Sequence, residues 1–308
     1  MAETKKFQVV IIGAGGAGLT AAIYTSRAKL STAIFEKLTP GGQIALTDLV
    51  ENYPGFPEGI LGPDVSQRME AQAKRYGTEV IYEEVKSIAK QNGGFQITTG
   101  SGSYSAAAVI LASGASFRMV GVPGERELTG KGVSYCATCD GAFFKEKEIV
   151  VVGGGDSAMQ EGIFLTRFAS KVTVIHRRDS LRASPILKDR AKANEKIEFV
   201  WDTVIEKILG EKKVEGVSLR NVKTGETREF RTDGVFIFIG HDPNSALVKE
   251  FVEIDESGYV KATDSLQTSV PGVFAAGEIR AGAVKQLVAA CGEGCEAALA
   301  AQHHIENL

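Results

Sequence analysis

Two cysteines separated by two residues give the sequence its clearest chemical signal. Cys136 and Cys139 lie within the segment Ser134–Gly141. A Cys-x-x-Cys pair can close a small disulfide ring and cycle between dithiol and disulfide, because one sulfur is kept partly as thiolate. Asp140 directly follows the second cysteine and is a candidate proton carrier for the thiolate that must leave. Taken alone, the spacing also fits half of a zinc knuckle or two incidental core cysteines.

The composition excludes several classes of protein. The 308 residues are enough for two domains, and 44% hydrophobic with 24% charged residues is typical of a soluble globular protein. A net charge of -3 argues against a general binder of nucleic acid or of anionic membranes. Residues 1–6 are polar, and no apolar run approaches the ~18 residues of a membrane span. With only four cysteines, the sequence predicts a cytoplasmic protein that binds neither nucleic acid nor membrane.

An apolar run followed by a glycine-rich turn predicts a dinucleotide site near the N-terminus. Gln8–Ile12 has the continuous apolar character of a buried parallel strand. It leads into the glycines Gly13, Gly15, Gly16 and Gly18, then into an Ala-rich helical pattern and a second apolar run that ends at Glu36. Such glycines let a pyrophosphate approach a helix N-terminus, and the carboxylate can bind ribose hydroxyls. The alternative is a plain glycine-rich turn, but the surrounding elements favour dinucleotide binding.

The same pattern returns 140 residues later, from Gly13 to Gly153, with one informative change. After the strand-like run Glu148–Val152, the second turn contains Gly153, Gly155, Asp156, Ser157 and Ala158. The position equivalent to Glu36 now begins a basic run, formed by His176, Arg177, Arg178 and Arg182. A carboxylate repels a 2′-phosphate, whereas arginines bind it through paired hydrogen bonds. We therefore expect free ribose hydroxyls at the first site and NADP at the second, with a solvated basic loop as the alternative.

Other periodic segments complete the expected elements. Helices are predicted over Asp64–Tyr76 and about Lys285–His304, strands around Val80 and over Phe95–Thr98, Ser103–Ala106 and Ala108–Gly114, and a small β-meander within 197–240. Breaker residues predict domain boundaries near Phe117 and at His241–Asn244.

The remaining cysteines lie four positions apart on the predicted terminal helix. The Cβ vectors of Cys291 and Cys295 do not converge in a helix, so we expect no disulfide between them. Packing is the favoured role in an Ala-rich helix, and a second redox or metal role is the alternative. No Cys/His spacing completes a metal site.

In order and spacing, these motifs resemble the bacterial-type, low-molecular-weight thioredoxin reductases of the class II pyridine nucleotide-disulfide oxidoreductases. The likeness covers essentially the whole chain and rests on Gly13–Gly18, Glu36, Gly41–Gln43, Glu51–Gly55, Cys136–Asp140, Gly153–Ala158, His176–Arg182 and Gly272–Glu278. It implies an α/β fold of two doubly wound, three-layer Rossmann-like domains, the second inserted into the first. An FAD-binding domain would span 1–116 and 245–308, and an NADPH-binding domain with the cysteine pair would span 117–244. The resemblance further implies a homodimer.

The resemblance also assigns roles to residues. Cys139 would face the flavin, Cys136 would exchange with thioredoxin or a thioredoxin-like protein, and Asp140 would move protons. Besides the two turns, Glu36 and the basic run, the expected cofactor contacts are Lys37, Gly41, Gly42, Gln43, Asn52, Val85, Ala112, Gly114, Gly277, Glu278, Lys285, Gln286 and Leu287. Three positions depart from the family pattern: Glu278 replaces the usual Asp, Lys285 the usual Arg and Cys291 the usual Ala.

The expected activity is NADPH-dependent reduction of the thioredoxin disulfide through FAD and the Cys136–Cys139 pair. One alternative is a flavin-containing NADPH reductase for another acceptor, in which the cysteines are incidental. Another is a dinucleotide- or metal-binding redox module without turnover.

Overall fold

The computed structural model describes residues 4–47, 49–91 and 93–308, which form two compact units. One unit is Met1–Ser116 with Asp242–Leu308, and the other is Phe117–His241. The second unit is thus an insertion in the first. Residues 1–3, part of the polar N-terminal segment considered above, lie outside the described residues.

The first unit begins with a run of strands and two helices. They are β1 (Lys5–Ile12), α1 (Gly16–Arg27), β2 (Thr32–Phe35), β3 (Leu49–Val50), β4 (Ile60–Leu61), α2 (Gly62–Arg75), β5 (Glu79–Ile81), β6 (Ser87–Gln91), β7 (Gly94–Thr98), β8 (Ser103–Leu111) and β9 (Ala115–Phe117). In place of the two strands expected at Ser103–Ala106 and Ala108–Gly114 there is one strand that ends at Leu111, because β8 pairs with β7 over its first residues and with β1 along most of its length.

The second unit contains its own helices and strands. They are β10 (Val133–Ser134), α3 (Ala137–Asp140), β11 (Glu148–Val152), α4 (Asp156–Leu165), β12 (Lys171–Ile175), α5 (Pro185–Lys192), β13 (Ile197–Val200), β14 (Thr203–Leu209), β15 (Gly216–Asn221), β16 (Thr227–Arg231) and β17 (Gly234–Ile237). The chain then returns through β18 (His241–Pro243) to β19 (Val273–Ala275) and α6 (Leu287–Glu306). The expected meander is present as the antiparallel strands β14, β15 and β16.

Each unit is built around a parallel sheet whose central strand leads into a glycine turn. In the first, β1 pairs in parallel with β2 on one side and β8 on the other. In the second, β11 pairs in the same way with β12 and β17. The three-dimensional fold therefore repeats as the sequence does, and each turn lies at the carboxyl end of a central strand, where ligands bind in such sheets.

Alternating residues of the central strands divide each core into two layers. Val9 and Ile11 pack with helices α1, α2 and α6, whereas Val10 and Ile12 pack with the segment that contains Val248. This alternation follows from the two-residue repeat of a strand. In the second unit, one face of β11 packs against α4 and the other against the meander. Both central strands are thus buried on two sides, which explains their continuous apolar sequences.

Among residues 4–47, 49–91 and 93–308, no helix has the length and apolar character needed to cross a membrane. The same residues contain no group of three His, Cys, Asp or Glu side chains placed to hold a metal ion.

Candidate redox centre and dinucleotide sites

The two cysteines of the Cys-x-x-Cys pair form a disulfide at the start of helix α3. Their Cα atoms are 5.3 Å apart, and both residues are half-buried. The backbone N–H of Cys139 donates to Cys136 Sγ over 3.2 Å, and Thr138 Oγ1 lies 3.4 Å from the same sulfur. Once the disulfide opens, an N–H donor beside Cys136 would stabilise its thiolate. Cys136 Sγ is therefore the sulfur expected to exchange with a substrate.

The carboxylate of Asp140 is held by a serine that the sequence analysis did not select. Ser134 is 4% exposed, and its hydroxyl lies 2.5 Å from Asp140 Oδ2. The hydroxyl oxygen of Ser134 also accepts a hydrogen bond of 3.1 Å from the N–H of Cys136. One hydroxyl thus connects the two ends of the redox segment. The signal in the sequence that could have identified Ser134 was a hydroxyl side chain two positions before the first cysteine.

A buried glutamate supports the residue just before the first cysteine. Glu125 has no exposed surface and accepts hydrogen bonds from the N–H groups of Val120 (2.9 Å) and Gly121 (2.7 Å) and from the hydroxyl of Tyr135 (2.8 Å). Burial, followed by the Glu125 hydrogen bond, raises the pKa of Tyr135. The Tyr135 ring stacks on Phe117 with centroids 4.9 Å apart. The redox segment therefore begins from a fixed backbone position.

In the first glycine turn, two glycines are required by packing and one faces open space. Gly13 has φ +102°, and a Cβ there would lie 2.4 Å from the carbonyl oxygen of Ala112. A Cβ at Gly18 would lie 1.9 Å from the carbonyl oxygen of Gly13. A Cβ at Gly15 would meet nothing within 4 Å. This uncrowded backbone at the N-terminus of α1 fits the approach of a pyrophosphate.

Other predicted residues lie beside this turn. Glu36 Oε2 accepts a 3.0 Å hydrogen bond from the N–H of Ala14, so the carboxylate predicted to bind ribose hydroxyls lies next to the glycines. The N–H of Gly41 donates to the carbonyl of Ala14 over 2.7 Å and draws the Gly41–Gln43 loop to the same place. Lys37 is exposed just beyond Glu36.

Two long-range pairs join predicted residues from opposite ends of the chain. Gln43 Nε2 donates to Glu278 Oε2 over 2.9 Å, and Asn52 Nδ2 donates to Gln286 Oε1 over 3.1 Å. Burial raises the pKa of Glu278, although the Gln43 hydrogen bond and the charge of Lys285 oppose the shift. Desolvation likewise lowers the pKa of Lys285.

The segment that carries Glu278 is fixed by an ion pair that sequence reasoning missed. Glu293 accepts hydrogen bonds from the N–H of Gly277 (2.8 Å) and from Arg280 (2.5 Å to Nη2). Glu293 and Arg280 belong to no motif that the sequence analysis used, and they meet only because helix α6 packs against the turn that contains Gly277.

Two of the remaining predicted cofactor contacts lie near the first glycine turn or an open backbone. Leu287 packs against Gly16, and a Cβ at Gly114 would meet nothing within 4 Å. The side chain of Val85 packs in the core with Ile12 and Phe35, and its contact with a cofactor stays a prediction.

The second glycine turn has the same design and is tied to the basic run. Gly153 has φ +148° and lies against the carbonyl of Phe238, while a Cβ at Gly155 would meet nothing within 4 Å. The N–H of Arg182 donates to the carbonyl of Gly154 over 2.7 Å, so the arginine loop is attached to the turn. Asp156 accepts a 2.6 Å hydrogen bond from the N–H of Ser184 and therefore also fixes this loop.

The basic run contains exposed arginines and one buried histidine. Arg177, Arg178 and Arg182 are exposed. His176 is 6% exposed, and desolvation, assisted by the nearby arginines, lowers its pKa. The positive charge of the basic run therefore comes mainly from the arginines. The His176 ring contacts Gly154, and its buried Nε2 has no hydrogen-bond partner among the described residues.

The other two cysteines are free thiols on α6, as the helical spacing predicted. Cys291 is buried, its Sγ lies 3.7 Å from the carbonyl oxygen of Gly16, and Tyr53 donates to it over 3.8 Å. These contacts identify Cys291 as a packing residue beneath the first turn.

The fold and site define an α/β protein with two dinucleotide-type glycine turns and one redox-type disulfide. The chain belongs to the pyridine nucleotide-disulphide oxidoreductase family, which matches residues 7–294. The expected family and the expected disulfide oxidoreductase class are thereby confirmed.

Similar proteins share this architecture along their whole length. The thioredoxin reductase of Bacillus subtilis (strain 168) is 53% identical over 309 residues, covering 100% of this chain and 98% of that protein. The crystal structure of thioredoxin reductase from Streptococcus pyogenes MGAS5005 matches with a TM-score of 0.95 at 44% identity, covering 99% of this chain and 100% of the other. Thioredoxin reductase from Giardia duodenalis matches with a TM-score of 0.92 at 40% identity, covering 98% and 100%.

Proposed function

We propose that this protein uses NADPH and FAD to reduce the disulfide of thioredoxin or a thioredoxin-like protein. The observation that carries the proposal is the Cys136–Cys139 disulfide, followed directly by the carboxylate of Asp140, in the same unit as an arginine-bearing glycine turn. The full-length similarity to proteins named thioredoxin reductase supports the choice of substrate.

The residues of each unit fit one cofactor. In the first, the open backbone at Gly15, the carboxylate of Glu36 and the Gln43–Glu278 pair suit FAD, whose ribose hydroxyls are free. In the second, the open backbone at Gly155 and the arginines suit NADPH with its 2′-phosphate. The Nε2 of His176, which has no hydrogen-bond partner in the described part of the chain, is a further polar group available to that ligand. A bound flavin would supply the relay that passes an electron pair from reduced nicotinamide to the protein disulfide.

The chain itself performs thiol–disulfide exchange. Two electrons open the Cys136–Cys139 bond, and one proton is needed to give a thiol and a thiolate. Cys136 thiolate then attacks a sulfur of the substrate disulfide, forming a mixed disulfide and releasing the other substrate sulfur as a thiolate. Asp140 supplies the proton for that leaving sulfur. Cys139 finally loses its proton and attacks Cys136 Sγ, which restores the protein disulfide, and the second substrate sulfur takes up a proton as it leaves, which completes the substrate dithiol.

The decisive experiment replaces Cys139 by Ser and follows NADPH oxidation with a panel of disulfide proteins that includes thioredoxin. Turnover with thioredoxin should disappear, whereas the matched control Cys295→Ser, a free thiol outside the motif, should keep it. Retained turnover in Cys139→Ser would favour a flavin reductase for another acceptor. A colourless purified protein, or one with stoichiometric zinc, would favour a binding module without turnover.

The proposal includes the assembly and location of the protein. We assign FAD to the unit of 1–116 and 245–308 and NADPH to 117–244, and we expect a homodimer. Asn244 hydrogen-bonds to Ser113 and Ser116, so the residues just before 245 also pack with the first unit. A cytoplasmic location suits an enzyme that keeps a partner's thiols reduced.

A further inference from the structure

We infer that Ser134 is a positioning residue that acts through Asp140, an inference that rests on the proposed function. Ser134 is the last residue of β10, and strand pairing fixes its backbone beside Phe236 of β17. Its side chain is 4% exposed, in contrast to the half-buried cysteines and Asp140. The hydroxyl is therefore a rigid point from which the more exposed redox segment can be held.

The hydrogen bonds of Ser134 span the redox segment. Its oxygen accepts from the N–H of Cys136 at 3.1 Å, which fixes the direction in which the hydroxyl proton can point. That proton has two possible acceptors, Asp140 Oδ2 at 2.5 Å and the carbonyl oxygen of Cys136 at 3.2 Å. The shorter contact is to an anionic oxygen, and charge-assisted hydrogen bonds are the stronger ones. Asp140 is consequently the main partner.

This arrangement suits a carboxyl group that must change its protonation state. While Asp140 is a carboxylate, Ser134 donates to it. When Asp140 carries a proton, the serine oxygen can accept in turn, because a hydroxyl has both a donor and lone pairs. The carboxyl group can therefore give its proton to the departing substrate sulfur and regain one from solvent without leaving its position. The serine therefore keeps the carboxyl group in a fixed position, and proton transfer is sensitive to such positioning.

A double-mutant cycle distinguishes a role of Ser134 in positioning Asp140 from a contribution to the stability of the fold alone. The holoenzymes to compare are Ser134→Ala, Asp140→Asn and the double variant, assayed for kcat and KM with thioredoxin. We expect Ser134→Ala to lower kcat about tenfold, the effect of one lost charge-assisted hydrogen bond. In the double variant the serine change should add nothing to the loss caused by Asp140→Asn, because its effect passes through that carboxylate. Ser134→Thr, which keeps the hydroxyl, should restore most of the rate.

Thr232→Ala provides a matched control. Thr232 is another buried hydroxyl of the same unit, bonded to the carbonyls of Glu148 and Gly234, away from the redox segment. Its loss should lower the unfolding temperature without lowering kcat. If Ser134→Ala behaved in this way, or if its effect multiplied with that of Asp140→Asn, the inference would be overturned. A normal rate in Asp140→Asn would overturn it too, since Ser134 would have no group to act through. A normal rate in Asp140→Asn would also remove the proton role of Asp140 from the proposed function. None of these results tests the reduction of thioredoxin through the cysteine pair, which Cys139→Ser and the flavin and zinc content of the purified protein test separately.

Discussion

Gln43 donates a 2.9 Å hydrogen bond to the carboxylate of Glu278, 235 positions further along the chain. This contact joins the loop after β2 to the turn after β19, beside the first glycine turn. One carboxylate oxygen of Glu278 is thus held by an amide group from the other end of the chain. The carboxylate is nevertheless costly to ionise here, because burial raises its pKa.

Glu278→Gln should make the flavin-free protein less sensitive to pH. A raised native pKa means that the stabilising contribution is complete below the unfolded value of about 4.3 and is lost as the pH rises through the native value. Relative to wild type, Glu278→Gln should therefore gain unfolding free energy as the pH increases over this range. Urea denaturation at a series of pH values measures the difference.

Glu84→Gln is the control for that experiment, because its stability relative to wild type should change with pH in the opposite direction. Its hydrogen bond with Lys86 lowers the pKa of Glu84, so the relative stability of Glu84→Gln should fall as the pH rises. The change should be small because the pair is exposed to solvent. Parallel pH trends in the two variants would contradict the assignment.

Two glycine substitutions should separate packing from ligand binding. Gly18→Ala places a Cβ against the carbonyl oxygen of Gly13 and should cost about 2 kcal/mol or more in unfolding free energy. Gly15 has extended backbone (φ -81°, ψ -169°) and open space, so Gly15→Ala should leave the flavin-free protein stable. It should instead weaken FAD binding, because the methyl group would crowd a pyrophosphate that approaches the N-terminus of α1. Denaturation and flavin titration test the two effects, and an equal loss of stability in both variants would refute the distinction.

Removing charge from the basic run should change the choice of nicotinamide. Arg177→Ala/Arg178→Ala should raise the KM for NADPH by about 100-fold or more, since two hydrogen bonds to a charged group are lost and each is worth about 1.5–3 kcal/mol. The KM for NADH should hardly change, because NADH has no 2′-phosphate. Steady-state kinetics with both nucleotides provide the measurement. Equal losses for NADPH and NADH would indicate instead that these arginines only maintain the fold.

Loss of the buried carboxylate of Glu125 should destabilise the second unit. Glu125→Gln turns an amide group toward backbone N–H donors and should cost about 2–4 kcal/mol of unfolding free energy. Tyr135→Phe keeps the stack on Phe117 and loses only one hydrogen bond, so it should cost about 1–2 kcal/mol. Urea denaturation measures both values. The exposed neighbour Glu127→Gln is the control, and a similar stability for all three variants would argue against this role of Glu125.

Short-range patterns were sufficient to predict the chemistry and most of the fold. The Cys-x-x-Cys pair, the two glycine turns and the exchange of Glu36 for a basic run are local features, since each depends on residue type and spacing within one strand–turn–helix unit. Strand periodicity failed where local signals are weak. The single strand β8 was divided in two, and β6 was not predicted, because its alternation becomes evident only through pairing with β7.

The sequence alone determined which motifs this protein contains: two glycine turns, one followed by an acidic residue and the other by a basic run, and one Cys-x-x-Cys pair. Only the tertiary structure decided which side chains hold those parts in place. The contacts of Ser134 with Asp140 and of Glu293 with Gly277, and the burial that lowers the pKa of His176, depend on neighbours that come from other elements. Burial, hydrogen-bond geometry and pKa are set by such neighbours, and they cannot be deduced from the spacing of residues within a motif.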